Sequence, residues 1–478
     1  MAPASAIAAL GVYIFTFNCG LTAIDSDAVA SQLFNALTTP QLPDLLVLSL
    51  QEIAPLPHAL VGGSFLVPYF AKFHDAVEKA SKKLGGEYTA VVARNVGMTA
   101  LVVFAKDPAA VRDLETAGVG VGLWDMGNKG AVGVRFTYHG SDGETELTFV
   151  AAHLAAMEDE VERRNQDWKS IVRGLVFSSV SKSAGQATSL SVSSEDRPLL
   201  SISPRDASIY KPTSHLFVAG DLNYRTSSMK PSPTDYVDTF PQPHYDTTHN
   251  NHFSNLFEHD QLTQEHEAGR TLHGLVEERI TFPPTYKYTS KEPFLTPDED
   301  LIQWHWAKHR WPSWCDRILY LPLPSWLSKP GAKIVAHKYT SVPLFPTSDH
   351  RAVALSLSVP LVPIPPPQEE EESDDPRIKP PFDVSPDWKQ SRQRARILEL
   401  FVGFTLYFTT TWEGAAVLVA GVAGIRKKEG EGQSPLRIHL GGKIALTAII
   451  KLAFEKLACN APFGPKEPGL PVSGILPK

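Results

Sequence analysis

The chain has 478 residues, a formal net charge of −7, 43% hydrophobic residues and three cysteines. The apolar share excludes global disorder, and Cys19, Cys315 and Cys459 are too few and too scattered for a disulfide framework or a cysteine zinc site. Glu369 to Glu372 with Asp374 and Asp375 concentrate much of the acidity, so the remainder is nearly balanced, which argues against a general nucleic-acid binder.

Residues 1–20 are apolar but hold no Lys or Arg, so they lack the basic opening of a signal peptide. Residues 12–17 read instead as a first strand. Further short β-rich runs follow at 45–50, 99–104, 131–136, 147–152, 216–219, 317–321 and 352–359. Helical patterns fall between them at 28–37, 65–84 and 158–177. Together these give one α/β unit over 1–360. Within it, the Ser-rich stretch 178–203 is expected to be a mobile surface insertion, and 231–252 a long loop. The run 65–70, Phe-Leu-Val-Pro-Tyr-Phe, is expected to be buried packing rather than a membrane-touching loop.

Residues 361–391 form a Pro-rich acidic segment, expected to be a disordered linker. Residues 392–478 are a hydrophobic tail. Within 397–425 the charged residues are Glu399 and Glu413, bracketed by Arg392, Arg394 and Arg396 before and Arg426, Lys427 and Lys428 after. A spanning helix needs about 20 apolar residues, and Glu413 splits this run. A span, a re-entrant hairpin, an interfacial helix and a helical cap on the main domain all stay open, with membrane association the leading expectation. The stretch 438–454, with Lys443 and Lys451, is amphipathic at best.

Polar residues sit at the ends of the expected strands. Asn18 follows the first, Glu52 the second, His153 the fifth, Asp221 and Asn223 the sixth, and Asp349 and His350 precede the last. On one rim, such carboxylates, amides and histidines suit a hard divalent cation of the Mg²⁺ type and a phosphate ester. Taken singly, each reads equally as a turn or cap residue.

Two runs go further. Val218-Ala219-Gly220-Asp221-Leu222-Asn223-Tyr224-Arg225 and Trp311-Pro312-Ser313-Trp314-Cys315-Asp316-Arg317-Ile318-Leu319 resemble the two motifs of the inositol polyphosphate 5-phosphatases. Phe17-Asn18, Gln51-Glu52-Ile53, Gly127-Asn128-Lys129-Gly130, His153-Leu154-Ala155-Ala156, Arg164-Asn165, Thr285-Tyr286-Lys287-Tyr288 and Ser348-Asp349-His350-Arg351-Ala352-Val353 follow the family's order. The resemblance spans about residues 10–358. It departs at Phe17 for a tryptophan, at Cys19-Gly20, at Met157 for a second histidine, and at Val218-Ala219 for a bulkier pair.

The resemblance implies a four-layer α/β/β/α sandwich of the DNase I-like endonuclease/exonuclease/phosphatase superfamily, followed by the helical hydrophobic tail. It implies a Mg²⁺-dependent phosphatase that removes the 5-phosphate of phosphatidylinositol 4,5-bisphosphate by in-line attack of water. Glu52 is the expected main metal ligand, with Asn18 assisting and Asp349 acting through water. Asp221 and His350 flank the attacking water: Asp221 orients or deprotonates it, Asn223 holds it, and the proton acceptor stays open between Asp221 and His350. Asp316 orients His350, and His153 donates to the scissile phosphate. Lys129, Tyr286, Lys287, Lys308 and Arg310 are the expected contacts to the neighbouring phosphate, and Arg317 is expected to brace the Trp314 loop. A soluble inositol trisphosphate phosphatase, a nuclease or sphingomyelinase of the same superfamily, and an inactive phosphoinositide-binding scaffold are the rivals. With the tail, the chain is placed at the cytosolic face of a membrane, the endoplasmic reticulum first, with a phosphoinositide lipid as partner and no nucleic acid.

Overall fold

The computed structural model describes residues 7–180, 204–243, 248–289, 303–368 and 374–417. The expectations at 181–203 and 438–454, and Cys459, lie outside the described residues. The chain divides into a unit of residues 1–407 and a second of 408–478. The first contains the sheets described below.

The strands in chain order are β1 (Ala9–Asn18), β2 (Leu45–Gln51), β3 (Thr89–Val96), β4 (Thr99–Ala105), β5 (Val111–Gly120), β6 (Gly130–Gly140), β7 (Gly143–His153), β8 (Ser178–Ser179), β9 (Ser214–Asp221), β10 (Val276–Glu277), β11 (Asp316–Tyr320), β12 (Val335–Ser341) and β13 (Val353–Pro360). They form a six-stranded sheet in the order β12-β13-β1-β2-β4-β3 and a seven-stranded sheet in the order β10-β11-β9-β7-β6-β5-β8. The pairs β1–β2 and β7–β9 are parallel, and the other pairs are antiparallel. The helices are α1 (Ser26–Gln32), α2 (Leu56–Val61), α3 (Val67–Lys83), α4 (Val161–Gly174), α5 (Pro204–Ala207), α6 (Asp235–Asp238), α7 (Phe253–Phe257), α8 (Gln261–Glu267) and α9 (Trp388–Thr410).

Strand alternation builds the layers, because successive side chains point to opposite faces. Leu10, Val12 and Ile14 of β1 join Leu45 and Val47 of β2, Phe149 and Ala151 of β7, and Phe217 and Ala219 of β9 in the core between the sheets. Tyr13, Phe15 and Phe17 face the other way, onto α1 and α3. The buried residues Phe73, Ala76, Val77 and Ala80 of α3 recur at helical spacing and form its inner stripe. On the second sheet, Val150, Ala152, Leu216 and Val218 pack under Trp168, Ile171 and Val172 of α4. The result is the expected four-layer sandwich.

Three expectations need correcting. The Pro-rich segment is not disordered where it is described. Arg377 is buried, bonded to Asp375 at 2.8 Å and to the Pro322 carbonyl at 2.6 Å, and Phe382 stacks edge-on against His273. The helix expected at 65–84 is broken by Pro68, so a 3₁₀ turn, Gly63–Leu66, precedes α3. The segment 231–252 is not all loop, since α6 lies within it. The run 65–70 is buried only in part: Leu66 is buried and Phe65, half-buried like Tyr69 and Phe70, sits edge-on to Tyr407 at 5.0 Å, whereas Val67 and Pro68 are exposed.

The described part of the apolar tail holds most of α9 and a short helical stretch at 412–417. Through Tyr407, α9 belongs to the same unit as the sheets, so the expected boundary at 391/392 falls inside a helix. Among the described residues, no helix is long and apolar enough to cross a membrane.

Candidate active site

Strand register explains why distant residues meet. Parallel β7 and β9 pair His153 with Asp221, and antiparallel β9 and β11 pair Asp221 with Asp316. Antiparallel β6 and β7 pair Gly130 with His153, which brings Lys129 to the same rim. In the other sheet, parallel β1 and β2 pair Asn18 with Gln51, and Glu52 follows directly. His350 stands shortly before β13, the antiparallel neighbour of β1.

Asp221 is the hub. Its buried Oδ2 accepts the Asn18 amide at 2.9 Å, lies 3.3 Å from His153 Nε2 and stands 4.0 Å from His350 Nε2. Burial works against the charge, yet His350, His153 and Lys129 hold this carboxyl well below the usual carboxylate range. His350 Nδ1 meets Asp316 Oδ2 at 2.8 Å. Against the pull of burial, Asp316 and Asp221 push the imidazole up to about 9. Burial lifts Asp316 to about 6, and His350 opposes that rise. The backbone N–H of Asp316 donates to the Thr285 hydroxyl at 3.2 Å, and that of His350 donates to the Ser348 hydroxyl at 3.0 Å.

His153 is fully buried, and its Nε2 also meets the Lys129 ammonium. Burial first, then the Lys129 charge, lowers its pKa, against the opposing pull of Asp221 and Glu52. Burial likewise lowers Lys129. Glu52 lies 3.9 Å from His153 Nε2. Glu52 and Asn223 carry φ of 49° and 58°, a left-handed conformation that non-glycine residues adopt at a cost of about 1–3 kcal/mol and that clusters at functional sites.

The expected substrate contacts separate into different environments. Lys129 stands with His153 in the central cluster. Lys287 is paired with Asp349. Arg310 donates to Glu158 at 3.0 Å and lies against Met157 Sδ. Lys308 lies 4.7 Å above the Tyr236 ring. Tyr286 packs on His350, with ring centroids 4.5 Å apart, and forms a wall for that imidazole. The amide of Asn223 is engaged by the loop: Nδ2 donates to the Leu154 carbonyl at 3.1 Å and Oδ1 accepts from Arg225. Arg317 bonds Asp260 and Glu277 and reaches the Trp314 carbonyl at 3.4 Å, in keeping with a bracing role.

Sequence reasoning gave no role to Arg225, Thr285 or Ser348. Arg225 is buried, fixes Asn223 and lies 4.4 Å from the Tyr286 ring. All three sit inside the quoted motifs, and that adjacency is the signal that pointed to them.

The oxygen donors suit a hard cation. The Glu52 carboxylate has no hydrogen bond among the described residues, and Asn18 Oδ1 accepts the Gly20 N–H at 3.0 Å, leaving a second lone pair. Asp349 Oδ1 lies 3.9 Å from His350 Nε2. Ligand atoms of Asp221, Asp316 and His350 also lie within 4.8 Å of one another. In that trio, however, His350 Nδ1 is committed to Asp316, which makes an orienting pair rather than an open chelate.

The family model for endonuclease/exonuclease/phosphatase family 2 matches residues 15–356. The chain belongs to this family. Among curated relatives, the type II inositol 1,4,5-trisphosphate 5-phosphatase of Mus musculus is 32% identical over 263 residues, covering 55% of this chain and 21% of its own length. The phosphatidylinositol 3,4,5-trisphosphate 5-phosphatase 2B of Danio rerio is 29% identical over 291 residues, covering 58% of this chain and 19% of its own. The chain thus spans about a fifth of the length of these relatives. Among solved structures, the inositol polyphosphate 5-phosphatase domain of SPsynaptojanin, in complex with inositol (1,4)-bisphosphate and calcium, is 26% identical. It covers 74% of this chain and 84% of its own, with a TM-score of 0.52. Family membership and the four layers agree with the expected superfamily.

Proposed function

We propose that the chain is a Mg²⁺-dependent phosphatase that removes the 5-phosphate of phosphatidylinositol 4,5-bisphosphate at the cytosolic face of a membrane, the endoplasmic reticulum in the first instance. The observation that carries this reading is the single rim on which register gathers His153, Asp221 and Asp316 beside His350, Glu52 and Asn18. Relatives named for 5-phosphatase action on inositol phosphates supply the substrate class.

Glu52, Asn18 and Asp349 are the residues that would hold the cation, whose charge offsets that of the phosphoryl and leaving oxygens. Asp221, a standing carboxylate in a buried setting, orients the attacking water by accepting a hydrogen bond from it. His350 flanks the same water with its Nε2 edge, Asp316 fixes the ring, and the two carboxylates raise its pKa, so its N–H faces the phosphoryl oxygens. Asn223 and Arg225 hold the Asp221 loop in shape. Lys129 adds positive charge next to His153 at the scissile group, and Lys287, Lys308 and Arg310 line the approach for a second phosphate. Because Lys287 and Arg310 are paired with acids in the free protein, an incoming phosphate must replace Asp349 and Glu158 as their partners.

Membrane placement draws on α9. Ile397 and Phe401, one turn apart, are each 70% exposed, with Arg394 on the same helix. An apolar stripe beside basic residues suits the surface of an anionic bilayer. The decisive assay is phosphate release from phosphatidylinositol 4,5-bisphosphate vesicles with Mg²⁺, with the lipid product identified, beside Asp221→Ala. Phosphatidylinositol 4-phosphate, absent in the variant, is the expected product. Lipid binding without turnover would instead support the scaffold, and turnover confined to inositol 1,4,5-trisphosphate the soluble phosphatase.

A further inference from the structure

The C-terminal helix reaches the site from outside the family match. Glu399 of α9 is fully buried, and its Oε1 accepts the Gly127 N–H at 2.9 Å. Arg392 donates to both carboxylate oxygens, at 2.6 and 3.2 Å, and Arg396 donates at 3.2 Å. Arg396 also ties α9 to the end of α2 through the carbonyls of Leu60 and Val61, at 2.7 and 2.8 Å. Gly403 permits this close approach, since a Cβ there would lie 3.0 Å from Leu60 and Val61 side chains.

Gly127 is held from its other side as well. Its carbonyl accepts the Met98 N–H at 2.9 Å, and a Cβ on it would lie 2.7 Å from the Gly97 nitrogen. The Met98 carbonyl in turn accepts the N–H of Ile53, the neighbour of Glu52, at 3.4 Å. Two residues beyond Gly127, the Lys129 carbonyl accepts the Val121 N–H at 2.9 Å, and the Lys129 ammonium meets His153. A buried ion pair stabilises a fold little compared with apolar packing. What this one supplies is direction: a fixed acceptor for one N–H of the loop that carries Lys129.

We propose that Glu399 is a positioning residue for catalysis, which holds the 121–130 loop so that Lys129 meets His153. The proposal rests on the catalytic reading of His153 and Asp221 above. The test uses the full chain with soluble inositol 1,4,5-trisphosphate and Mg²⁺, so that membrane attachment plays no part. Wild type, Glu399→Ala, Glu399→Gln, Lys129→Met and the Glu399→Ala/Lys129→Met double variant are compared for kcat, KM and melting. Glu399→Ala is expected to lower kcat about ten- to a hundredfold, the scale of a small misplacement. Glu399→Gln, whose amide oxygen still accepts from Gly127, is expected to recover part of the loss. The double variant is expected to be no slower than Lys129→Met, because both changes act through one group.

Equal losses in both backgrounds, or a lower melting temperature with kcat unchanged, would overturn the proposal. Should wild type hydrolyse no inositol phosphate, the functional reading falls, and amide exchange decides this one. Faster exchange confined to Gly127, Asn128 and Lys129 in Glu399→Ala would support the positioning contact, and unchanged or uniformly faster exchange would dismiss it.

Discussion

His350 shows how a buried pair fixes the role of one side chain. Burial alone would keep the ring neutral, and the two carboxylates, Asp316 on Nδ1 and Asp221 facing Nε2, reverse that preference. Asp316 therefore does two things: it aims the ring and it raises the pKa of the ring. Asp316→Asn preserves the shape but offers a different hydrogen-bond pattern at Oδ2 and removes the charge. We expect kcat to fall by about two to four orders of magnitude, the usual worth of a positioned acid–base group. KM should change little, since Asp316 is buried behind His350. Steady-state kinetics with a parallel melting curve check this. An unchanged kcat in a folded variant would show that Asp221 alone sets the state of His350.

At the scale of elements, the strands carry the site in their own alternation. On β1 the face towards the second sheet reads Leu10, Val12, Ile14, Thr16, Asn18; on β7 it ends Phe149, Ala151, His153; on β9, Phe217, Ala219, Asp221. Each face is apolar at one end and polar at the other, so packing the sheets together also assembles the rim. That pattern is local, which is why the sequence alone revealed the central strands and Asn18, Glu52, His153, Asp221 and His350. Strands β3, β5 and β12 escaped the reading because they lie at or near sheet edges, where mixed burial erases the apolar signal. Arg377 and Glu399 escaped it because their partners are remote in sequence: Arg377 reaches back to Pro322 and Glu399 to Gly127.

Another consequence of packing is testable on β9. His215 is fully buried, neither ring nitrogen has a partner among the described residues, and burial followed by the Arg377 charge depresses it to about 3. The unfolded chain then takes up this proton first. Stability is fully present above about pH 6.5 and declines as pH falls towards 3, by about 1.4 kcal/mol per pH unit for this one group. His215→Leu is expected to flatten that part of the acid slope in urea unfolding measured between pH 6.5 and 4.5. An unaltered slope would assign the acid sensitivity to other groups.

At the scale of the whole molecule, the rim is a seam. Asn18 and Glu52 come from one sheet, and His153 and Asp221 from the other. Directional contacts between the sheets include the Ser49 hydroxyl, which donates to the Ala219 carbonyl at 2.8 Å, and the Ile318 N–H, which donates to the Tyr339 hydroxyl at 3.0 Å. A cation held by Glu52 and Asn18 of one sheet would face the Asp221 carboxylate of the other, a set of oxygens that comes together only in the folded state. Binding to the folded state alone stabilises it by about 3 kcal/mol at a hundredfold excess over the dissociation constant. Mg²⁺ should thus raise the melting temperature of the sheet-bearing unit, and a chelator should reverse the gain. Glu52→Gln should abolish the Mg²⁺ response, whereas Asp316→Asn should retain it if the cation is held by the open oxygen donors and not by the Asp221, Asp316 and His350 trio. The opposite result, loss in Asp316→Asn and persistence in Glu52→Gln, would move the metal onto that trio and leave Asp221 as a ligand instead of the acceptor for water.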